Sequence, residues 1–188
     1  MVKKVLAFVD GENLVFRYQA MVNNSRMPHA DVVHVKDAFV WSPRVTLWSE
    51  MDLFRVTYYT SVVGNQEKVD EIERRISSTK FECKMAGYTG TAQIIPRVHK
   101  KPANSNKTKV VDVDITMDVM RAALETPVDA IYLLTGDGDY LPLVREITRR
   151  TSKQVYLGAF SSGLAKCLPT SVEAFNDLDP WFFDPKPG

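Results

Sequence analysis

Cysteine is scarce: the chain has Cys83 and Cys167 and no others. The pair has neither CxxC spacing nor a secreted context, so it reads as two reduced thiols in a cytoplasmic protein. No apolar run approaches the roughly 18 residues of a membrane span, and the opening MVKKVLAFVDGEN meets Asp10 too early for a secretory leader. No membrane partner is expected. A dominant charge sign is also missing, with 24 Lys and Arg against 23 Asp and Glu. That balance excludes a wholesale basic coat or an acidic disordered tail, but not local segregation. His29, His34 and His99 lack zinc spacing, no Ser-His-Asp grouping stands out, and neither internal repeats nor low-complexity segments occur. What remains is ordinary. The 188 residues suit about one domain, and 45% hydrophobic with 25% charged residues is normal for a globular chain. A chain of this size buries about 70% of its unfolded surface without staples.

The apolar pattern alternates between strand and helix. Val5–Val9 is a continuous apolar run stopped by Asp10-Gly11, as expected of a parallel strand buried on both faces. Leu14, Tyr18, Met21 and Val22 then recur at helical spacing. The run Val56–Thr60 precedes Val69, Ile72 and Ile76, with Glu71 and Arg75 as an i,i+4 pair on the wet side of that helix. Further strands are expected near 81–85, 93–98, 130–135, 155–160 and 174–178, with helices near 112–125 and 140–150. Such alternation predicts an open, mainly parallel α/β sheet in one domain over residues 1–180. Pro180, Pro185 and Pro187 predict an extended tail over 181–188.

Two stretches interrupt the alternation. Residues 23–51 are too long for a simple connection and carry Phe39, Trp41 and Trp48. These aromatics suit base stacking, an accessory core or a dimer surface; a homodimer is one possibility. Residues 97–109 form a basic loop with Arg97, Lys100, Lys101, Lys107 and Lys109, plus His99 and no acidic residue.

Sites in open α/β sheets form at the carboxyl ends of strands, near the point where strand order reverses. The two strands with the strongest apolar lead-in both end in Asp-Gly, at Asp10 and at Asp137, with Asp139 two residues on. One such motif is an ordinary turn; two at the most buried strand ends point to a site. On the helix near 112–125, Ile115, Val119, Ala122 and Ala123 share one face, at about 100° per residue. Asp112 falls on that side, Asp118 flanks it, and Asp114 points to solvent. A crossover helix begins at the strands' carboxyl edge, so Asp112 belongs beside Asp10 and Asp137, whether or not it also caps the helix. Clustered carboxylates need a cation or protons to offset their repulsion. Oxygen donors without His or Cys suit Mg²⁺ or Mn²⁺, which bind phosphate oxygens and support in-line attack on a phosphodiester. The basic stretch runs straight into the Asp112 helix, where it could hold a polyanion or remain a solvated loop.

The segments FVDGEN (8–13), VDVDITMD (111–118) and LLTGDGDYLPLV (133–144), in this order, resemble the NYN domain of the PIN-like nuclease superfamily, most closely its LabA-like bacterial branch. The resemblance extends through 155–168. It implies a Rossmann-like three-layer α/β/α fold, PIN-like, with the first strand beside the one near 130–135. The family's acidic positions carry over to Asp10, Asp112, Asp118, Asp137 and Asp139, with Asn13 steadying the site. Asp10, Asp112, Asp137 and Asp139 would be the metal ligands, and Arg97, Lys100, Lys101, Lys107 and Lys109 the substrate contacts. Relatives usually show Lys-Gly before the VD pair, whereas Val110 follows Lys109 here. The implied activity is a metal-dependent ribonuclease, acting on single-stranded or structured RNA; the alternative is an RNA-binding or regulatory protein that keeps the acidic pocket without catalysis. A haloacid-dehalogenase-type phosphatase would need Asp where Glu12 stands. A dinucleotide enzyme would need a third glycine after Gly136 and Gly138.

Overall fold

A computed structural model describes residues 3–47, 51–85, 88–102 and 109–185. In chain order the elements are β1 (Lys3–Asp10), α1 (Gly11–Asn23), β2 (Val33–Val35), β3 (Phe39–Trp41), β4 (Met51–Val63), α2 (Gln66–Ser78), β5 (Lys80–Met85), β6 (Tyr88–Gln93) and β7 (Ile95–Lys101). Then come α3 (Lys109–Glu125), β8 (Ala130–Leu134), α4 (Leu141–Arg150), β9 (Gln154–Ala159), β10 (Ala174–Asp177) and the short α5 (Asp179–Phe182). The main sheet runs β10-β9-β8-β1-β4-β5-β6, with β7 also paired to β4. Its pairings are parallel except between β5 and β6.

Alternation along β1 explains why its apolar run is unbroken. Val5, Ala7 and Val9 enter one core with Leu14, Val15 and Tyr18 of α1 and Val69, Ile72 and Ile76 of α2. Phe8 enters the other, with Ile115 and Val119 of α3 and Leu143, Val144 and Ile147 of α4. Both faces are covered, so neither set of alternate residues is polar. The result is the expected three-layer α/β/α fold of PIN-like type. β1 lies between β8 and β4, and the chain leaves it in both directions, which makes its carboxyl end the switch point. The turn into α1 requires glycine: a Cβ on Gly11 would sit 2.2 Å from the Tyr58 ring and 2.5 Å from the Tyr59 carbonyl oxygen.

Two expectations change, and one open alternative closes. Over its described residues, 181–185, the C-terminal segment is not an extended tail, because Phe182 and Phe183 are 0% and 1% exposed and pack on Tyr18 and Phe160. Burying two aromatic rings outweighs the proline signal, which here only starts a four-residue helix. The interrupting stretch supplies its neighbour: the His29 N–H donates to the Phe182 carbonyl, Ser42 Oγ donates to the Trp181 carbonyl, and Pro28 bridges Phe183. Phe39 and Trp41 are fully buried, so they are core and do not meet bases. Trp48 lies outside the described residues. Finally, the first part of the basic loop is a strand: Arg97, Val98, His99, Lys100 and Lys101 pair in register with Tyr59–Val63 of β4. Basic side chains tolerate an edge position because backbone pairing, not side-chain type, holds a strand there.

Candidate active site at the carboxyl edge

Register puts Val9 opposite Leu134, so the next residues, Asp10 and Thr135, leave the sheet together. Asp10 is 2% exposed. Its Oδ2 accepts from Thr135 Oγ1 at 2.9 Å, and its Oδ1 accepts from the Asn13 N–H at 3.1 Å, capping α1. The cap and the site role therefore coexist in one side chain. Thr135 Oγ1 in turn accepts from the Asp137 N–H at 3.2 Å. Asn13 Oδ1 accepts from the Gly136 N–H at 3.0 Å, tying α1 to the turn after β8. Asp137 Oδ1 accepts from the N–H of Asp139, an exposed residue, at 3.0 Å.

Asp112 lies in the first turn of α3, which begins at Lys109, so it is not the helix cap. It faces the sheet side as its periodicity predicts: Tyr140 Oη donates to its Oδ1 at 3.3 Å. The Tyr140 phenol is pushed far above its ordinary pKa, first by burial, then by the charges of Asp10, Asp112 and Asp137. Three carboxylates from two strand ends and one helix thus act on one hydroxyl. Among the described residues no group of three His, Cys, Asp or Glu side chains stands close enough to form a ready metal cage.

Asp118 belongs to a separate network. It accepts from Tyr59 Oη at 2.8 Å and pairs with Arg121 at 3.0 Å. Asp114 does not simply face solvent; it pairs with His99 of β7 at 2.9 Å. Burial raises the Tyr59 pKa most, followed by Asp118, while Arg97 pulls it down. Of the basic residues, Arg97, Lys100 and Lys109 are exposed. Lys101 is drawn inward to Glu12 at 3.5 Å, and Ser61 Oγ also donates to that carboxylate. Lys107 lies outside the described residues.

Sequence reasoning gave no role to Thr135, Tyr140 or Tyr59. Tyr140 stands inside the GDGDY block and Thr135 at the end of a strand, positions adjacent to the predicted site. Tyr59 had no such signal, because its link to Asp118 joins residues 59 apart.

A Rossmann-like α/β/α sheet with carboxylates gathered at the β1–β8 edge defines a PIN-like protein. The family model of the NYN domain matches residues 4–179, and the chain belongs to the NYN domain family. A crystal structure of a protein of unknown function from Vibrio parahaemolyticus is similar, with a TM-score of 0.59, 19% sequence identity and 97% of each chain covered. At that identity the likeness speaks to fold alone. No curated protein matches the chain. Among the described residues no helix is long and apolar enough to cross a membrane.

Proposed function

We propose that this chain is a metal-dependent ribonuclease hydrolysing RNA phosphodiester bonds at the carboxyl edge of its sheet. The observation that carries the reading is that Asp10 and Asp137, linked through Thr135 Oγ1, and Asp112, bound by Tyr140 Oη, are held at the same carboxyl edge. Family membership supports it, because the NYN domain belongs to the PIN-like nuclease superfamily. The donors are carboxylate oxygens with no His or Cys, the chemistry of Mg²⁺ or Mn²⁺. Mg²⁺ needs no ready cage among the described residues, since it keeps several waters and takes one or two carboxylates plus substrate phosphate. Asp10, Asp112 and Asp137 would hold the ion, with Asp139 beside them. When bound, it would supply charge neutralisation at the phosphodiester and a bound water of lowered pKa.

The remaining work falls to the chain. Thr135 and the Asn13 backbone restrain Asp10, and the Asn13 side chain anchors the turn that carries Asp137. Tyr140 keeps its proton and so remains a donor to Asp112, orienting that carboxylate. Asp118 acts through Tyr59 as a positioning residue. Arg97 lies level with Asp10 two strands away, roughly 10 Å at ordinary strand spacing. Arg97, Lys100 and Lys109 would hold the RNA backbone by phosphate contacts.

Labelled single-stranded and structured RNAs, incubated with the purified chain in Mg²⁺ or Mn²⁺, test this reading. Cleavage is expected, lost in EDTA and reduced by about 10²–10³-fold in Asp137→Asn. Cleavage that persists in Asp137→Asn marks a contaminant and removes the support. Binding without cleavage in every metal transfers the chain to the non-catalytic RNA-binding class.

A further inference from the structure

α1 carries two side chains that the acidic site does not use. Phe16 and Arg17 stand three and four residues beyond Asn13 and so continue its helix face, about 6 Å further along the axis. Phe16 is 64% exposed, and the Arg17 guanidinium carbon lies 5.2 Å from its ring centroid. Arg17 makes no hydrogen bond or ion pair among the described residues, and its Nε is buried without a hydrogen-bond partner. An isolated exposed phenylalanine is unremarkable. A cation held over that ring with an unanswered N–H is a different matter, because burying a donor without an acceptor is costly.

Gly163 makes room for this arrangement. Its φ is +71°, and a Cβ there would fall 2.0 Å from the Arg17 guanidinium carbon. The same loop is tied to the acidic turn, since the Ala165 N–H donates to the Gly136 carbonyl at 3.0 Å. Lys166, exposed, follows directly. The guanidinium is therefore placed by a segment in direct contact with the loop carrying Asp137, on the α1 side of the site, while Arg97 and His99 meet the network on the α3 side.

We propose that Phe16 and Arg17 form a subsite for one nucleotide of a single-stranded RNA, the next along the strand from the phosphodiester at the acidic site. The exposed ring stacks on the base, as in sequence-tolerant single-strand binders, and the guanidinium fork takes the adjoining phosphate. The inference rests on the ribonuclease reading for its substrate, but it is tested by binding.

A short fluorescein-labelled single-stranded RNA is titrated with the chain in EDTA over a salt series. Phe16→Ala is expected to weaken binding about tenfold, within the range for one stacked base, and to leave the salt slope unchanged. Arg17→Ala weakens binding and lowers the log–log salt slope by about 0.7, the single-strand value for one phosphate contact. Arg17→Lys keeps the slope and provides the control if the alanine variant unfolds. Blunt duplex RNA of the same sequence is insensitive to Phe16→Ala, because its bases are already stacked. Wild-type affinity and slope in both Phe16→Ala and Arg17→Ala overturn the subsite while leaving the ribonuclease reading intact. A wild type that binds no RNA in EDTA also overturns the subsite, and the ribonuclease reading then stands or falls on cleavage in Mg²⁺ or Mn²⁺ alone. If Phe16→Ala alters the oligomeric mass of the chain and not its RNA affinity, the face is a protein interface and the proposal is wrong.

Discussion

Two tyrosine hydroxyls donate to carboxylates of the same helix, in opposite electrostatic surroundings. Tyr59 meets Asp118 in a network that also contains Arg121 and Arg97. Tyr140 meets Asp112, and the charges that shift it are those of Asp10, Asp112 and Asp137. Side chains of the same chemistry, six residues apart on α3, thus differ in what surrounds them. Around Tyr59 negative and positive groups offset one another, as a structural network does. Around Tyr140 the charges of three carboxylates all act to raise the phenol's pKa. In the proposed reading the difference separates a positioning residue from a metal ligand, although both read as acidic positions of one motif.

The strongest way to break this comparison is to truncate both carboxylates. Asp112→Ala is expected to lower cleavage by about 10²–10³-fold and to cost less stability than Asp118→Ala, because removing one of several neighbouring carboxylates offsets the lost acceptor of Tyr140. Asp118→Ala should instead lower stability by about 1–3 kcal/mol, the cost of leaving the buried Tyr59 hydroxyl without its acceptor. Steady-state cleavage beside denaturant unfolding separates the two. An equal loss of turnover in Asp118→Ala at unchanged stability would return Asp118 to the reacting centre.

Thr135→Val sharpens the Tyr140 side of the contrast. It removes the donor to Asp10 and the acceptor of the Asp137 N–H in one substitution. An effect of about 10–100-fold on activity is expected, typical of a partner that orients a ligating group. Wild-type turnover in a folded Thr135→Val chain would mean that Asp10 holds its position without it.

The smallest effect concerns pH. Burial raises the phenol pKa of Tyr58, Tyr59, Tyr132 and Tyr140 in the folded chain. Unfolded phenols ionise near pH 10. The stability held by these neutral phenols is therefore complete below about pH 10 and falls as pH rises above it. Phenolate absorbance followed with the denaturation midpoint checks this: the buried phenols should ionise only as the chain unfolds. Phenolate signals from a folded chain near pH 10, lost in Tyr140→Phe, would show that Tyr140 is not sealed among carboxylates.

Much of this arrangement was legible before folding. The DG after β1, the GDGD after β8 and the position of Asp112 on the inward face of α3 each follow from local periodicity, and they placed three carboxylates at one edge. The misreadings share a cause. Proline in 180–187 signals a local backbone preference, yet Phe182 and Phe183 answer to a pocket made by Tyr18 and Phe160, more than twenty residues away. Lys101 counted as a free cation until Glu12 stood beside it.

Periodicity along the chain determined which residues face a core, where strands end, and hence the α/β class and the acidic edge, because burial repeats every two or 3.6 residues. Tertiary structure alone decided which distant groups meet: that Asp118 finds Tyr59, that Asp114 finds His99, that Lys101 finds Glu12, and that Gly163 stands against the Arg17 guanidinium. The physical reason is range. Electrostatic and packing contacts join groups within a few ångströms in space, and the residues that make these ones stand 15 or more positions apart in sequence.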